Sequence, residues 1–171
     1  MLMNDREIRL HMMHRITPWD DTLVQPASLD VRLGPGVKVP VRPTELIVGT
    51  DAPEYVEGTL PYTLMPGGFA LFHTVETFTF PSYVAGKFEG KSGLGRMGLM
   101  THVTAGFIDP GFEGQLTLEL HNVGPYSLIL NENIKIGQVA FYQVNQVEVP
   151  YGYDSKGSHY QDSVGVVGTR V

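Results

Sequence analysis

The hydrophobic positions of this chain change period several times, and each change marks an element. Ile8 and Met12 lie four apart, on one helical face, and Asn4 with Glu7 three residues on forms a capping-box pattern ahead of them. A short helix near residues 5–13 is expected. From Leu23 to Leu33 the period falls to two. Leu29, Val31 and Leu33 point one way, and Ser28, Asp30 and Arg32 the other. That predicts a half-buried strand, closed by Gly34-Pro35-Gly36. Residues 37–64 carry no firm period. VKVPV and ELIVG read as short strands kept at an edge by Pro40 and Pro43, and TDAPEYVEG as a surface loop. Phe69 to Phe80 is rich in aromatic and β-branched residues and reads as a long strand ended by Pro81.

MGLMTHVTAGFI is mostly apolar and is broken by Asp109-Pro110-Gly111. In LTLELH, Leu116, Leu118 and Leu120 share one face, and Thr117, Glu119 and His121 the other. SLIL and IKIGQVAFYQV give two more strands around the polar turn Asn131-Glu132-Asn133. From Val149 onward periodicity fades, and a mobile tail ordered by a ligand or a neighbouring subunit is expected. The strand count and turn spacing predict an all-β sandwich or barrel.

Composition narrows this picture. A length of 171 residues suits one domain, and 20 Gly with 12 Pro favour short strands over long helices. A net charge of −6 argues against a nucleic-acid or anionic-membrane binder while leaving room for a local basic pocket. With no Cys, disulfides, thiolate zinc sites and cysteine nucleophiles are all excluded. No apolar run has the length of a membrane span, and the N-terminus lacks a signal-peptide core, so a cytoplasmic protein is expected.

Three features bear chemistry. Glu119, on the non-leucine face of its strand, is either a solvated acid or a carboxylate lining a pocket, where desolvation would raise its pKa for accepting a proton from water. The stretch Gly90-Lys91-Ser92-Gly93-Leu94-Gly95-Arg96 is either a surface turn or an anion cradle of backbone amides, a hydroxyl and two cations. It lacks the Walker A spacing. Asp109 before Pro-Gly suits a structural turn, or a hydrogen bond to a sugar hydroxyl or water. The six His are scattered; His102, in an apolar stretch, reads as a satisfied core histidine. The zinc-deaminase signature cannot be built without Cys.

EGKSGLGRMGLMTHVTAGFIDPGFEGQLTLELHNVG, then IKIGQVAFYQV, closely resembles the dCTP deaminase family of the dUTPase-like superfamily. The match extends to NDREIRLHM, QPASLDVRLGPG, PYG and HYQDSVGVVGTR, and is poorest over residues 37–80. The resemblance implies an all-β, distorted barrel or jelly-roll-like domain over residues 1–171, with residues 150–171 as a C-terminal lid. It implies a homotrimer with active sites between subunits. The implied reaction is zinc-independent hydrolysis of dCTP to dUTP and ammonia, with Mg²⁺ arriving on the triphosphate. Glu119 matches the general base. Lys91, Ser92, Gly93, Leu94, Gly95 and Arg96 match the phosphate turn, with Ser92 and Arg96 also holding the reacting water and carboxylate. Asp109 matches the contact to the deoxyribose 3′-hydroxyl. Thr117, Leu118 and Glu119 border the base, and Ala105 packs near it. Gln138, Tyr151 and the tail around Ser163 match further nucleotide contacts.

Three positions depart from or refine the pattern. Ser92-Gly93 stands where the family usually has Ser-Ser, and Ser-Gly-Leu is the pattern of dUTPases. His159 and Ser163 replace a tail lysine and glutamine. Ala105-Gly106-Phe107-Ile108-Asp109 looks like the bifunctional branch, which continues to dUMP and pyrophosphate, with Asp109 helping position water at the α-phosphate. The alternatives are a plain dUTPase or a catalytically silent nucleotide-binding trimer.

Overall fold

The computed structural model describes residues 1–41, 45–153 and 158–170. Helix α1 (Asp5–Met12) opens the chain and is followed by strands β1 (Ile16–Thr17), β2 (Val24–Gln25), β3 (Ser28–Arg32) and β4 (Val37–Pro40). Next come β5 (Tyr55–Gly58), β6 (Tyr62–Leu64), β7 (Phe69–Thr79) and β8 (Val84–Gly90). A one-turn helix, α2 (Ser92–Arg96), leads to β9 (Leu99–Met100), β10 (Phe107–Ile108), β11 (Glu113–Asn122), β12 (Leu128–Leu130) and β13 (Lys135–Gln143).

The described strands form two main antiparallel sheets. One runs β5-β4-β7-β11-β9, with β1 also on β7; the other runs β10-β8-β13-β3-β2. β12 and β6 pair separately. The sheets bury their apolar faces in one cluster, with Phe72, Phe78, Leu118 and Leu120 from the first and Leu29, Val31, Val139 and Phe141 from the second. The α1 capping box is formed: Glu7 N donates to Asn4 Oδ1 and Asn4 N to Glu7 Oε2, which fixes the turn that buries Ile8 and Met12. No described helix is long and apolar enough to cross a membrane.

Four expectations change. β4 is not an edge strand; it runs between β5 and β7. Pro40 is tolerated because it is the last residue of β4, beyond the one registered pair with β7 at Lys38 and Leu71. Pro43 lies outside the described residues. TDAPEYVEG is not all loop, since Tyr55–Gly58 forms the edge strand β5. ELIVG forms no strand. Instead Asp51 accepts Ile47 N–H on its carboxylate and donates its own N–H to the Ile47 carbonyl, folding the segment into a turn. Finally, β3 is buried on both faces, because Lys91, Lys135 and Gln138 cover Ser28 and Asp30.

The tail is docked as well. Ser163 bridges Gly114 in parallel, Gln115 N donates to Ser163 O, and Asp162 N donates to Glu113 O. Gly165 N and Val167 N then donate to the side chains of Gln115 and Thr117. Gly114 permits this twice over. Its φ is 141°, and a Cβ there would come within 2.8 Å of Ser163 N.

His73 is a buried polar group with a defined tautomer. Its Nε2 accepts from Gly36 N at 3.0 Å, so Nδ1 carries the proton and donates to Thr74 O at 2.8 Å. Gly34 and Gly36 leave room for the ring, since a Cβ on either would strike it. Burial pushes the imidazole below its ordinary value, against the opposing pull of the Thr74 carbonyl and the Glu132 charge.

Because the folded pKa is lowered, the unfolded chain takes up this proton first as pH falls. The His73 contribution is complete above the unfolded value, about 6.5, and is lost below it until the folded pKa is reached. Denaturant melts from pH 8 to 5.5 should show stability falling below about 6.5, with His73→Gln flattening that slope; equal slopes would refute the assignment. Gly114→Ala should undock the tail and speed limited proteolysis C-terminal to Pro150, with a loss of about 1–3 kcal/mol.

Candidate active site

β11 delivers its polar side chains by alternation. Leu118 and Leu120 are 1% and 0% exposed in the core, so Glu119 between them has to face the other way. There it enters a cleft of about 430 Å³, bounded by β11, the 102–109 segment, Tyr151 and the tail. Glu119 is half-buried, and its Oε2 accepts Val103 N–H at 2.8 Å. Oε1 has no hydrogen-bond partner among the described residues. The carboxylate is thus fixed at one oxygen and open to a proton donor at the other.

Ala105, Asp109, Thr117, Tyr151 and Ser163 line the same cleft. Asp109 forms the structural turn expected of it. Its carbonyl accepts Phe112 N at 3.2 Å around Pro110-Gly111, while the exposed residue stands on the cleft wall. Leu118 contributes main chain only, since its side chain is in the core. Thr117 Oγ1 accepts Val167 N at 3.2 Å, and Ser163 Oγ donates to Tyr160 O. Both hydroxyls are therefore engaged by the docked tail. Tyr151 Oη accepts Tyr160 N at 3.0 Å.

Several cleft residues were not singled out from sequence. His102 is not a satisfied core histidine. It stands edge-on to Phe88 on the cleft wall, with its Nδ1 buried and without a partner among the described residues, and its Nε2 4.0 Å from Glu89 Oε2. Residues 101–106 join no strand, so no period could have located it. Leu116 is only partly buried. The β11–β7 ladder shifts register there, Gln115 opposing Thr77 and Thr117 opposing His73, and Leu116 both packs against the core and borders the cleft. Gln115 braces the tail with its amide, donating to Val75 O and accepting Gly165 N. Tyr160, Val167, Gly168 and Thr169 close one side.

The glycine-rich stretch is a one-turn helix rather than an open loop. Lys91, Ser92, Gly93 and Leu94 line a second hollow of about 460 Å³ with Met97, Lys135 and Gln138. A Cβ on Gly93 or Gly95 would meet nothing within 4 Å, so neither glycine is needed for packing inside this chain. The bare backbone is open to an approaching group. Ser92 and Arg96 are exposed, and Arg96 has no ion-pair partner among the described residues. Gly95 and Arg96 line neither hollow. The two hollows share no residue, so within one chain Glu119 and the Lys91–Arg96 turn belong to separate surfaces. No described group of three or more His, Asp or Glu is placed to hold a metal ion.

A family model described as dCTP deaminase-like matches residues 2–144. The chain is 45% identical to the "dCTP deaminase, dUMP-forming" of Mycobacterium leprae strain Br4923, over 99% of this chain and 95% of that one. Identity to the protein of the same name from Mycobacterium tuberculosis strain H37Rv is 43%, with the same coverage. The fold is similar to the crystal structure of 2′-deoxycytidine 5′-triphosphate deaminase from Agrobacterium tumefaciens. The TM-score is 0.65 at 22% identity, over 82% of this chain and 47% of that longer one. The alternating strand that carries Glu119, the cleft it faces and the near full-length identity agree, and the chain belongs to the dCTP deaminase-like family.

Proposed function

We propose that this protein hydrolyses the cytosine amino group of dCTP and carries the product on to dUMP and pyrophosphate. The observation that carries the reading is Glu119, held by the Val103 amide in a cleft that Asp109 also lines. Its free oxygen accepts a proton from water as the water oxygen bonds to C4. That proton then passes to the amine as the C4–N bond breaks, the second proton of the water ends on N3, and the products are dUTP and ammonia. Burial of the cleft wall by Phe88, Ile108 and Phe112 strengthens the carboxylate's pull on that water. In the second step Asp109 orients water toward the α-phosphorus, and pyrophosphate leaves. The names of the mycobacterial relatives and the Ala105–Asp109 pattern support this dUMP-forming course.

The phosphates belong at the Lys91–Arg96 turn, with Ser92, Gly93, Leu94 and Gly95 offering hydroxyl and backbone donors. Mg²⁺ comes as part of the nucleotide. We infer that the chain works as a homotrimer in which the cleft of one copy meets the turn of the next. The unpacked faces of Gly93 and Gly95, the exposed Arg96, which pairs with no acid among the described residues, and the exposed Met97, Met100 and Phe107 favour such a contact. The tail acts as the lid, bringing Tyr151, Tyr160 and Ser163 to the base side.

With dCTP and Mg²⁺ the purified protein should release ammonia, dUMP and pyrophosphate. Glu119→Gln should lower ammonia release by about 10³-fold while nucleotide binding by calorimetry stays within about threefold. Ammonia release by that variant at the normal rate would sink the mechanism, and dUTP hydrolysis without ammonia from dCTP would select a plain dUTPase. Mixing Glu119→Gln with Arg96→Ala chains, each inactive alone, should restore about a quarter of the sites if they are shared between copies. No recovery would place each site within one chain.

A further inference from the structure

Beneath the Lys91–Arg96 turn lies a carboxylate that the reaction does not use. Asp30 is 2% exposed, and two cations converge on it: Lys91 Nζ on Oδ1 at 2.5 Å and Lys135 Nζ on Oδ2 at 3.3 Å. A buried carboxylate with a cation on each oxygen is a fixed anchor for both. The same wall is braced again where Ser28 Oγ donates to Gln138 Oε1 at 2.8 Å. Lys135 reaches this face only because β13 carries a bulge. Lys135 opposes Arg32 and Gly137 opposes Val31, which leaves Ile136 as an extra residue. In a regular strand Lys135 and Gln138, three apart, would lie on opposite faces. The bulge instead puts both in the hollow of the turn.

Building on the function proposed above, we propose that Lys135 is a further phosphate-binding cation and that Asp30 is the positioning residue that holds Lys91 and Lys135 side by side. Each ammonium spends one donor on Asp30 and keeps two for an incoming anion. Their side chains are 31% and 47% exposed, so those donors reach solvent. Lys91 and Lys135 outnumber the one carboxylate they contact, and Asp20, the further acid that acts on Lys135, is shared with Arg32, in a chain whose net charge is −6. A polyphosphate is the ligand class that this charge and donor count fit.

The test is titration of the full-length chain with inorganic tripolyphosphate at low salt, alongside steady-state kinetics with dCTP. Lys135→Met should weaken tripolyphosphate binding about tenfold, and the kinetic change should fall on KM rather than kcat. Lys135→Arg should recover most of the affinity. Asp30→Asn should reproduce the loss with both lysines present. Tripolyphosphate binding unchanged in Lys135→Met would overturn the proposal; that half-exposed position also keeps the test valid if Asp30→Asn does not fold. Lys135-dependent tripolyphosphate binding by a wild-type protein that yields no ammonia from dCTP would support this inference and refute the deaminase reading separately.

Discussion

The burial of Leu118 and Leu120 on one face of β11 is the constraint on which the rest depends. Both lie in the core between the sheets, and the backbone between them allows their neighbour only one direction. Glu119 therefore faces the cleft for the same reason that the sandwich holds together. A one-residue slip of β11 would bury the carboxylate and expose the leucines, so fold stability itself selects the register that presents the acid. The Val103 amide then sets which oxygen is engaged. Position and orientation thus come from different segments, one rigid and one outside the ladders.

Electrostatically the chain is divided. The carboxylates of Glu119 and Asp109 share one hollow, while Lys91 and Lys135 flank another. Separation keeps Glu119 and Asp109 from pairing with these lysines, which are held by Asp30 instead. In the proposed trimer, a ligand with a polar base at one end and a polyanion at the other would suit the two surfaces. The hold of the tail on β11 consists of main-chain, amide and hydroxyl hydrogen bonds at Gly114, Gln115 and Thr117, with the modest anchor of Val166. Few buried apolar contacts secure it, which is the profile of a segment that opens at low cost.

Much of this was legible in the residues. The capping box at Asn4 and Glu7 located α1, and the period-two runs located β3, β7, β11 and β13. The direction of Glu119 followed from alternation alone. What failed did so where local pattern was overruled by distant partners. ELIVG has strand propensity, yet Asp51 folds it into a turn. Ser28 and Asp30 read as a solvated face, yet residues 61 and more positions away cover them, Lys91 among them. His102 read as core, yet its segment joins no ladder and lies along the cleft.

The sequence by itself determined that Phe69–Phe80, LTLELH and IKIGQVAFYQV are strands and that Glu119 lies opposite Leu118 and Leu120, because periodicity is a local property of neighbouring residues; the family was legible from a resemblance of whole motifs rather than from period. Tertiary structure alone decided that the tail docks on Gly114, that an extra residue in β13 aims Lys135 at the turn, and that acids and cations occupy separate hollows. Those outcomes depend on register and on contacts between residues far apart in the chain, and neither spacing nor composition encodes them.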